Sequence, residues 1–290
     1  MSSWWKEAII KWLLRACAST SILIVALIFL FLLKEAGPFA REPGLGSLLS
    51  TRWAPVSPKV PGFGIVPLLT GSLLVTGLAT VIAIPFGVIG AVFISEVAGR
   101  REREFLKPFI ELLASIPSVV LGFFGLVVLA PAVRQAFQLS TGLTALTGSL
   151  LLALMAIPTI VSISEDAIRS VPASYKEASM ALGASRLQTI WRVTVPAALS
   201  GIIAAIMLGM GRVVGETMAV LMVTGNSAVV TLDPFRSVRT MTATIAAEMG
   251  EVTFHSTHYQ SLFWIGIVLL LVTFTFNLIA QRVLARYRNF

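Results

Sequence analysis

Two charges of opposite sign stand four residues apart in an otherwise apolar run. Residues 208–220 read Leu208-Gly209-Met210-Gly211-Arg212-Val213-Val214-Gly215-Glu216-Thr217-Met218-Ala219-Val220. An arginine at the centre of a bilayer costs ~2.5–3.5 kcal/mol on insertion scales, and an acidic residue adds a comparable amount. Such charges must face protein or water rather than lipid. A spacing of four puts both on one face of a helix, and Gly211 and Gly215 beside them permit close approach by a second helix. Two chemistries fit. One is an ion pair that fixes helix register. The other is an anion path, in which the Arg212 guanidinium binds a tetrahedral oxyanion bidentately and Glu216 moderates the field. A carboxylate at Glu216 also suits an oxyanion that carries an O–H donor and repels one that lacks it.

The rest of the chain must place this pair in a membrane. Of 290 residues, 56% are hydrophobic and 12% charged, and mean hydropathy is +0.89. A typical soluble domain carries about 25% charged residues, so the composition excludes an ordinary cytosolic enzyme, a disordered chain and a disulfide scaffold. The single Cys17 forbids an internal disulfide. A bilayer core needs about 20 helical residues. The predicted spans are 16–33, 67–94, 112–133, 142–163, 197–224 and 259–280, an all-α polytopic membrane protein with six transmembrane helices. The first run is longer than a usual signal-peptide core and lacks a small-x-small cleavage site, so it reads as an anchor.

Net charge is +8. With the N-terminus inside, the inner segments carry 14 Lys and Arg and the outer segments 7. That ratio predicts both termini in the cytoplasm and accounts for the basic excess without nucleic acid. The expected organisation is an anchor helix with a Pro/Gly-rich outer loop over 1–66, a transmembrane domain over 67–280 with a cytoplasmic loop at 164–196, and a basic tail at 281–290.

That loop contains Ser174 and Glu177, and then Ser185 and Gln188, at capping-box spacing. Gly183 between them marks a left-handed helix end. The pattern predicts two short helices and a sharp turn, joined to the fifth span at Pro196, with Met180, Leu182 and Leu187 supplying apolar contact near the turn. The pair packs either on the chain's own helix ends or on a partner.

The stretch Glu177-Ala178-Ser179, Gly183 four residues on, and Val193-x-Val195-Pro196 resembles the Glu-Ala-Ala loop of ABC importer permeases. Ser179 replaces the second alanine, and two valines replace the family's isoleucine and leucine. The resemblance implies that Glu177, Ala178, Ser179, Gly183 and Pro196 dock on an ATPase subunit and transmit its closure. The chain has no Gly-Lys pair and hence no phosphate loop of its own, so ATP hydrolysis falls to a partner and the chain is no enzyme.

Residues 211–220 look like the corresponding stretch of phosphate-specific ABC permeases. Residues 111–125, 162–172 and 242–248 look like the PstC type of that family. The resemblance implies a type I ABC importer permease fold in the bacterial inner membrane. It implies a homologous PstA-type permease, two PstB-type ATPases and an extracytoplasmic PstS-type phosphate-binding protein as partners, and a contribution to phosphate-starvation signalling. It carries a role in phosphate movement over to Arg212 and Glu216, with Thr217 adjoining them. The motif at Pro117-Ser118 breaks the third span, so that Ser118 opens a helix whose free N–H groups face an anion or simply follows a packing kink. No cofactor is expected, and His255 and His258 alone do not make a metal site. The alternatives are a permease for sulfate, molybdate or phosphonate, and a membrane scaffold or sensor without its own path.

Overall fold

The computed structural model describes residues 3–287 and is helical almost throughout. Among the described residues five helices are long and apolar enough to cross a bilayer, and a pair bent by 68° gives a sixth when it is counted as one span.

Helix α1 (Ser3–Ala36) stands apart from the body over most of its length. It touches the rest near its end, where Ala36 and Leu32 pack with Tyr259, Phe263 and Ile267 of α13 (Thr257–Tyr287). There Trp264 Nε1 donates to the Ala36 carbonyl at 2.8 Å. The predicted basic tail continues α13 as far as Tyr287, and residues 288–290 lie outside the described residues.

The loop after α1 is not wholly irregular. Two 3₁₀ turns, Gly37–Ala40 and Leu45–Leu49, lead to a two-residue antiparallel pair, β1 (Trp53–Ala54) with β2 (Gly62–Phe63). Phe39, Leu48, Trp53 and Phe63 bury against Leu68, Leu262 and Ile265. Burying these rings is what folds a Pro/Gly-rich segment onto the helix ends.

The core lies among α2 (Val66–Val92), α6 (Ala145–Arg169) and α10 (Leu199–Val214). Small residues set their spacing: Val75, Ala79 and Ala83 of α2 face Leu152 and Ala156 of α6. Lipid tails are as apolar as leucine, so close packing of small side chains is what holds such helices together.

The third and fifth crossings differ from the sequence expectation. Residues 112–115 do not begin the third span. They end a separate helix, α3 (Arg100–Ser115), with one charged and one apolar side. Pro117 forces the preceding residue out of helical geometry, and Ile116 is extended at φ −62°, ψ 129°. The crossing then runs from Ser118 through α4 (Ser118–Phe124), a π-helical turn and α5 (Ala130–Ala136). The fifth span is likewise interrupted. α10 stops at Val214, and α11 (Met218–Val223) starts after three further residues.

Helix α3 is fastened to α6 by a buried carboxylate. Glu165, 1% exposed, receives Arg103 Nη2 and Lys107 Nζ, both at 2.7 Å, while Lys107 also reaches Asp166 at 2.6 Å. Burial pushes the Lys107 pKa down, but its bonds to Asp166 and Glu165 outweigh this and leave it raised.

Candidate functional site: two broken helices around an arginine

Arg212 lies in the last turn of α10, half-buried beside the buried Val213. Its Nη2 donates to the Ala114 carbonyl at 3.1 Å and its Nη1 to Thr159 Oγ1 of α6 at 3.5 Å. Ala114 is the penultimate residue of α3, so its carbonyl is one of the four that a helix end leaves without an intrahelical partner. A cation there is also favoured by the helix dipole. Both acceptors are neutral. The guanidinium is therefore oriented without a carboxylate partner among the described residues, and these bonds take up two of its five N–H groups.

Glu216 does not pair with Arg212, because the helix that would have aligned them has ended. Gly215 closes α10, and Glu216 N–H bonds the Val213 carbonyl at 3.2 Å. The Glu216 side chain turns to α11, where Oε1 accepts the Ala219 N–H at 3.2 Å. Its carbonyl accepts the Thr242 hydroxyl at 3.0 Å. Thr217 donates to the Gly215 carbonyl at 3.2 Å and stands as the residue before α11. The register-fixing ion pair is thus absent among the described residues, and Glu216 serves as the cap of the second half-helix.

Ser118 opens α4, as the Pro117 break predicts. It follows Ala114, the residue that holds Arg212, by four positions. α4 packs closely on α11: a Cβ on Gly122 would lie 3.0 Å from Ala219 Cα and 2.9 Å from Met222 Sδ. Ser118 thus opens one half-helix and Thr217 precedes the other, the two half-helices pack together, and Arg212 reaches the end of the helix that leads into the first. Irregular backbone at membrane depth is tolerated where it is buried in protein or lines a cavity, and half-helix N-termini there favour anions. Thr159 and Ala114 were not legible as partners, since they are 53 and 98 residues from Arg212 in sequence.

The predicted helix pair forms at the other loop. α7 (Ala173–Ala181) ends in Gly183 at φ +88°, with Gly183 N–H on the Met180 carbonyl at 2.9 Å and Ala184 N–H on that of Ser179 at 3.2 Å. That is a Schellman end. Ser185 and Gln188 make the expected capping box on α8 (Arg186–Thr189). Ser174 and Glu177 do not. Pro172 already sits at the helix start, so Ser174 falls inside the first turn and Glu177 points outward, exposed. Ala178 is exposed on the same helix, and Ser179 Oγ meets Thr189 Oγ1 at 3.0 Å across the turn. Pro196 lies in α9 (Val195–Ala197), and the chain bends by 68° at Ala198 into α10. Met180, Leu182 and Leu187 do not pack under the turn. Leu182 is 90% exposed and Leu187 65%, so the apolar face of the pair is left uncovered by this chain.

At the Trp53 end lies a cluster that spacing could not reveal. Glu248, last residue of α12 (Met241–Glu248), receives Arg239 Nη1 at 2.5 Å and Trp53 Nε1 at 3.2 Å, and meets His258 Nε2 at 2.8 Å. Burial pushes its pKa up, but the bonds to His258 and Trp53 and the charge of Arg239 outweigh this, so it is lowered. Arg239 is therefore committed to Glu248, and Arg236 stays exposed beside Asp233 at 3.9 Å. His255 faces Glu35 at 3.7 Å.

Residues 83–289 match the family model of the binding-protein-dependent transport system inner membrane component. The chain belongs to that family. Family members to which it is similar include the probable ABC transporter permease protein YqgH of Bacillus subtilis, 44% identical over 82% of this chain and 77% of the relative. The phosphate transport system permease protein PstC of Mesorhizobium japonicum is 34% identical over 84% of this chain and 79% of its own length. PstC 1 of Mycobacterium tuberculosis is 32% identical over 96% and 92%. In fold, the chain resembles a chain of a bacterial ABC transporter involved in the import of the acidic polysaccharide alginate, at a TM-score of 0.65 and 16% identity over 97% of this chain and 98% of that one. It also resembles the MetNI methionine ABC transporter in an inward-facing form, at 0.57 and 19% over 77% and 94%. The architecture of this family member is that of a type I importer permease, and the PstC-type resemblance read from the motifs holds over most of the chain.

Proposed function

We propose that this permease carries inorganic phosphate through the membrane in an ATP-driven importer. The observation that supports it is the guanidinium of Arg212, held by two neutral acceptors between two broken helices. An ion path needs charge that is positioned but not neutralised. A scaffold has no use for an arginine kept this way at the cost of membrane burial. The names of the PstC relatives favour phosphate over other oxyanions.

In this reading the termini and the α7–α8 pair are cytoplasmic, in accord with the excess of Lys and Arg in those segments. The exposed Leu182 and Leu187 and the outward Glu177 dock on a PstB-type ATPase, one for each of two permeases, the second being PstA-type. A PstS-type protein delivers phosphate at the Trp53 end. ATPase closure moves the helix pair, the crossings rock, and phosphate passes Arg212. Ser118, Glu216 and Thr217 line its way. The free Glu216 oxygen accepts a hydrogen bond from the P–OH group. The domain pattern is an anchor with outer loop, a transport domain and a basic tail.

The test is labelled phosphate uptake by the assembled complex, with excess unlabelled sulfate, for wild type and Arg212→Gln. The expected result is uptake that resists sulfate and disappears in the variant while the ATPase still co-purifies. Full uptake in the variant returns Arg212 to a structural role. Uptake of sulfate in place of phosphate assigns the permease to another oxyanion. Glu216→Gln is expected to lower discrimination against sulfate, and unchanged discrimination removes that role.

A further inference from the structure

Threonines inside these helices mostly bond back to their own backbone four residues earlier. Thr76, Thr80, Thr224 and Thr275 donate to the carbonyls of Ser72, Thr76, Val220 and Leu271 at 2.7–2.9 Å. That is the ordinary fate of a helical threonine hydroxyl in an apolar setting. Thr159 departs from it. Its Oγ1 accepts from Arg212, and its own O–H proton finds no acceptor among the described residues. The side chain is half-buried. A polar hydrogen left unused in such a place carries a desolvation cost unless something transient takes it.

We infer that Thr159 is a second substrate-binding group, which orients Arg212 through its lone pair and donates its hydroxyl proton to an oxygen of the translocating anion. This rests on the phosphate-path reading above. The chemistry is additive. A guanidinium with three N–H groups not taken up by the described residues and an adjacent free O–H form a patch of donors that carries one positive charge. That suits a tetrahedral oxyanion whose oxygens are all acceptors. The other anchor of Arg212, the Ala114 carbonyl, sits on α3, and α3 is locked to α6 by Glu165, six residues beyond Thr159. Arg212 and Thr159 are thus held by the same two-helix frame, and both donors keep a common origin when the crossings move.

The experiment measures phosphate uptake by the assembled complex, per amount of complex in the membrane, with ATPase attachment checked by pull-down. Thr159→Val keeps shape and removes the hydroxyl, and Thr159→Ser keeps the hydroxyl. Each is made in wild type and in Arg212→Lys. A hydrogen bond to a charged group implies a loss of about ten-fold or more in maximal uptake for the Val variant, with half-saturation, which external capture sets, unchanged. The Ser variant is expected to keep most of the rate. In the Arg212→Lys background the Val substitution is expected to cost less than in wild type, because the lysine no longer holds Thr159 in the donor patch. Equal fold losses in both backgrounds, or equal losses for Val and Ser, overturn the inference. So does a Val variant with wild-type uptake. If Arg212→Lys imports nothing, the Val/Ser pair alone decides. Arg212→Gln with full uptake is a different result: it overturns the path reading and this inference with it.

Discussion

Glu248 and His258 meet at 2.8 Å, and the other oxygen of the same carboxylate takes Arg239. Together with Trp53 they tie the loop after α1, the end of α12 and the start of α13 into one knot. The lowered Glu248 pKa has a definite sign for stability. A carboxylate whose folded pKa is depressed contributes stability above its unfolded value, and that contribution is lost as pH falls through the folded one. The thermal midpoint of the purified complex is expected to fall as pH drops below about 4.5. Glu248→Gln should lower the midpoint at pH 7, by about 1–3 kcal/mol in stability, and flatten the acid limb. An acid limb of unchanged slope in the variant would falsify this assignment.

The Glu165 clasp gives a sharper contrast. Removing one partner of a buried ion cluster leaves the others unpaired, at about 3–5 kcal/mol. Glu165→Ala is expected to destabilise by that amount. Asp166→Asn, at a site 63% exposed, is expected to cost less than about 1 kcal/mol. Because the Lys107 pKa is raised, its share persists through neutral pH and is lost only as pH climbs above 10.5. Thermal unfolding of the two variants at pH 7 separates them. Equal shifts would place the strength of the clasp at Asp166 instead.

Ile160 of α6 is wedged between glycines of two neighbours. A Cβ on Gly87 would stand 2.6 Å from its Cγ2, and one on Gly209 2.6 Å from its Cγ1. Gly209→Ala is therefore expected to cost about 1–3 kcal/mol by overpacking, and Ile160→Ala about 2–5 kcal/mol by leaving a cavity. The double variant should be more stable than the sum of the two losses, since the new methyl enters the space vacated. Strict additivity in thermal unfolding would show that the helices separate rather than interlock.

Gly183 has nothing within 4 Å of a built Cβ, so only its backbone angle restricts it. Left-handed geometry costs a β-carbon-bearing residue about 1–2 kcal/mol. Gly183→Ala is expected to weaken ATPase co-purification through the shape of the turn, and Gly183→Asn to weaken it less. Identical retention for Gly, Asn and Ala would mean that the turn geometry is irrelevant to docking.

Much of this was legible from local signals. Four of the six apolar runs, the Ser185–Gln188 box, the left-handed Gly183 and the helix start at Ser118 each depend on residues close in sequence, and each appears in the structure. Where the reading failed, a local pattern met a competitor. Pro172 displaced the box at Ser174. Gly215 ended α10 before Arg212 and Glu216 could share a face. The residues Leu112 to Ser115 are apolar enough for a span but finish a helix that begins with the charges of Arg100–Glu104 and is held by Glu165. The partners of Arg212 and Glu248 come from remote segments, so tertiary packing alone brings them together.

Glu96, just beyond α2, holds both short helices of the α7–α8 turn. Its carboxylate takes Lys176 Nζ of α7 at 2.5 Å, and its backbone carbonyl takes Arg186 Nη2 of α8 at 2.5 Å. The two anchors flank Gly183, one on each arm. The turn cannot flex about its glycine without breaking one of them, and the Schellman and capping-box bonds brace the tip itself. Both arms of the projection thus bear on the end of α2 through one residue, so that a force on Leu182 is directed there, while the chain itself turns by 68° at Ala198.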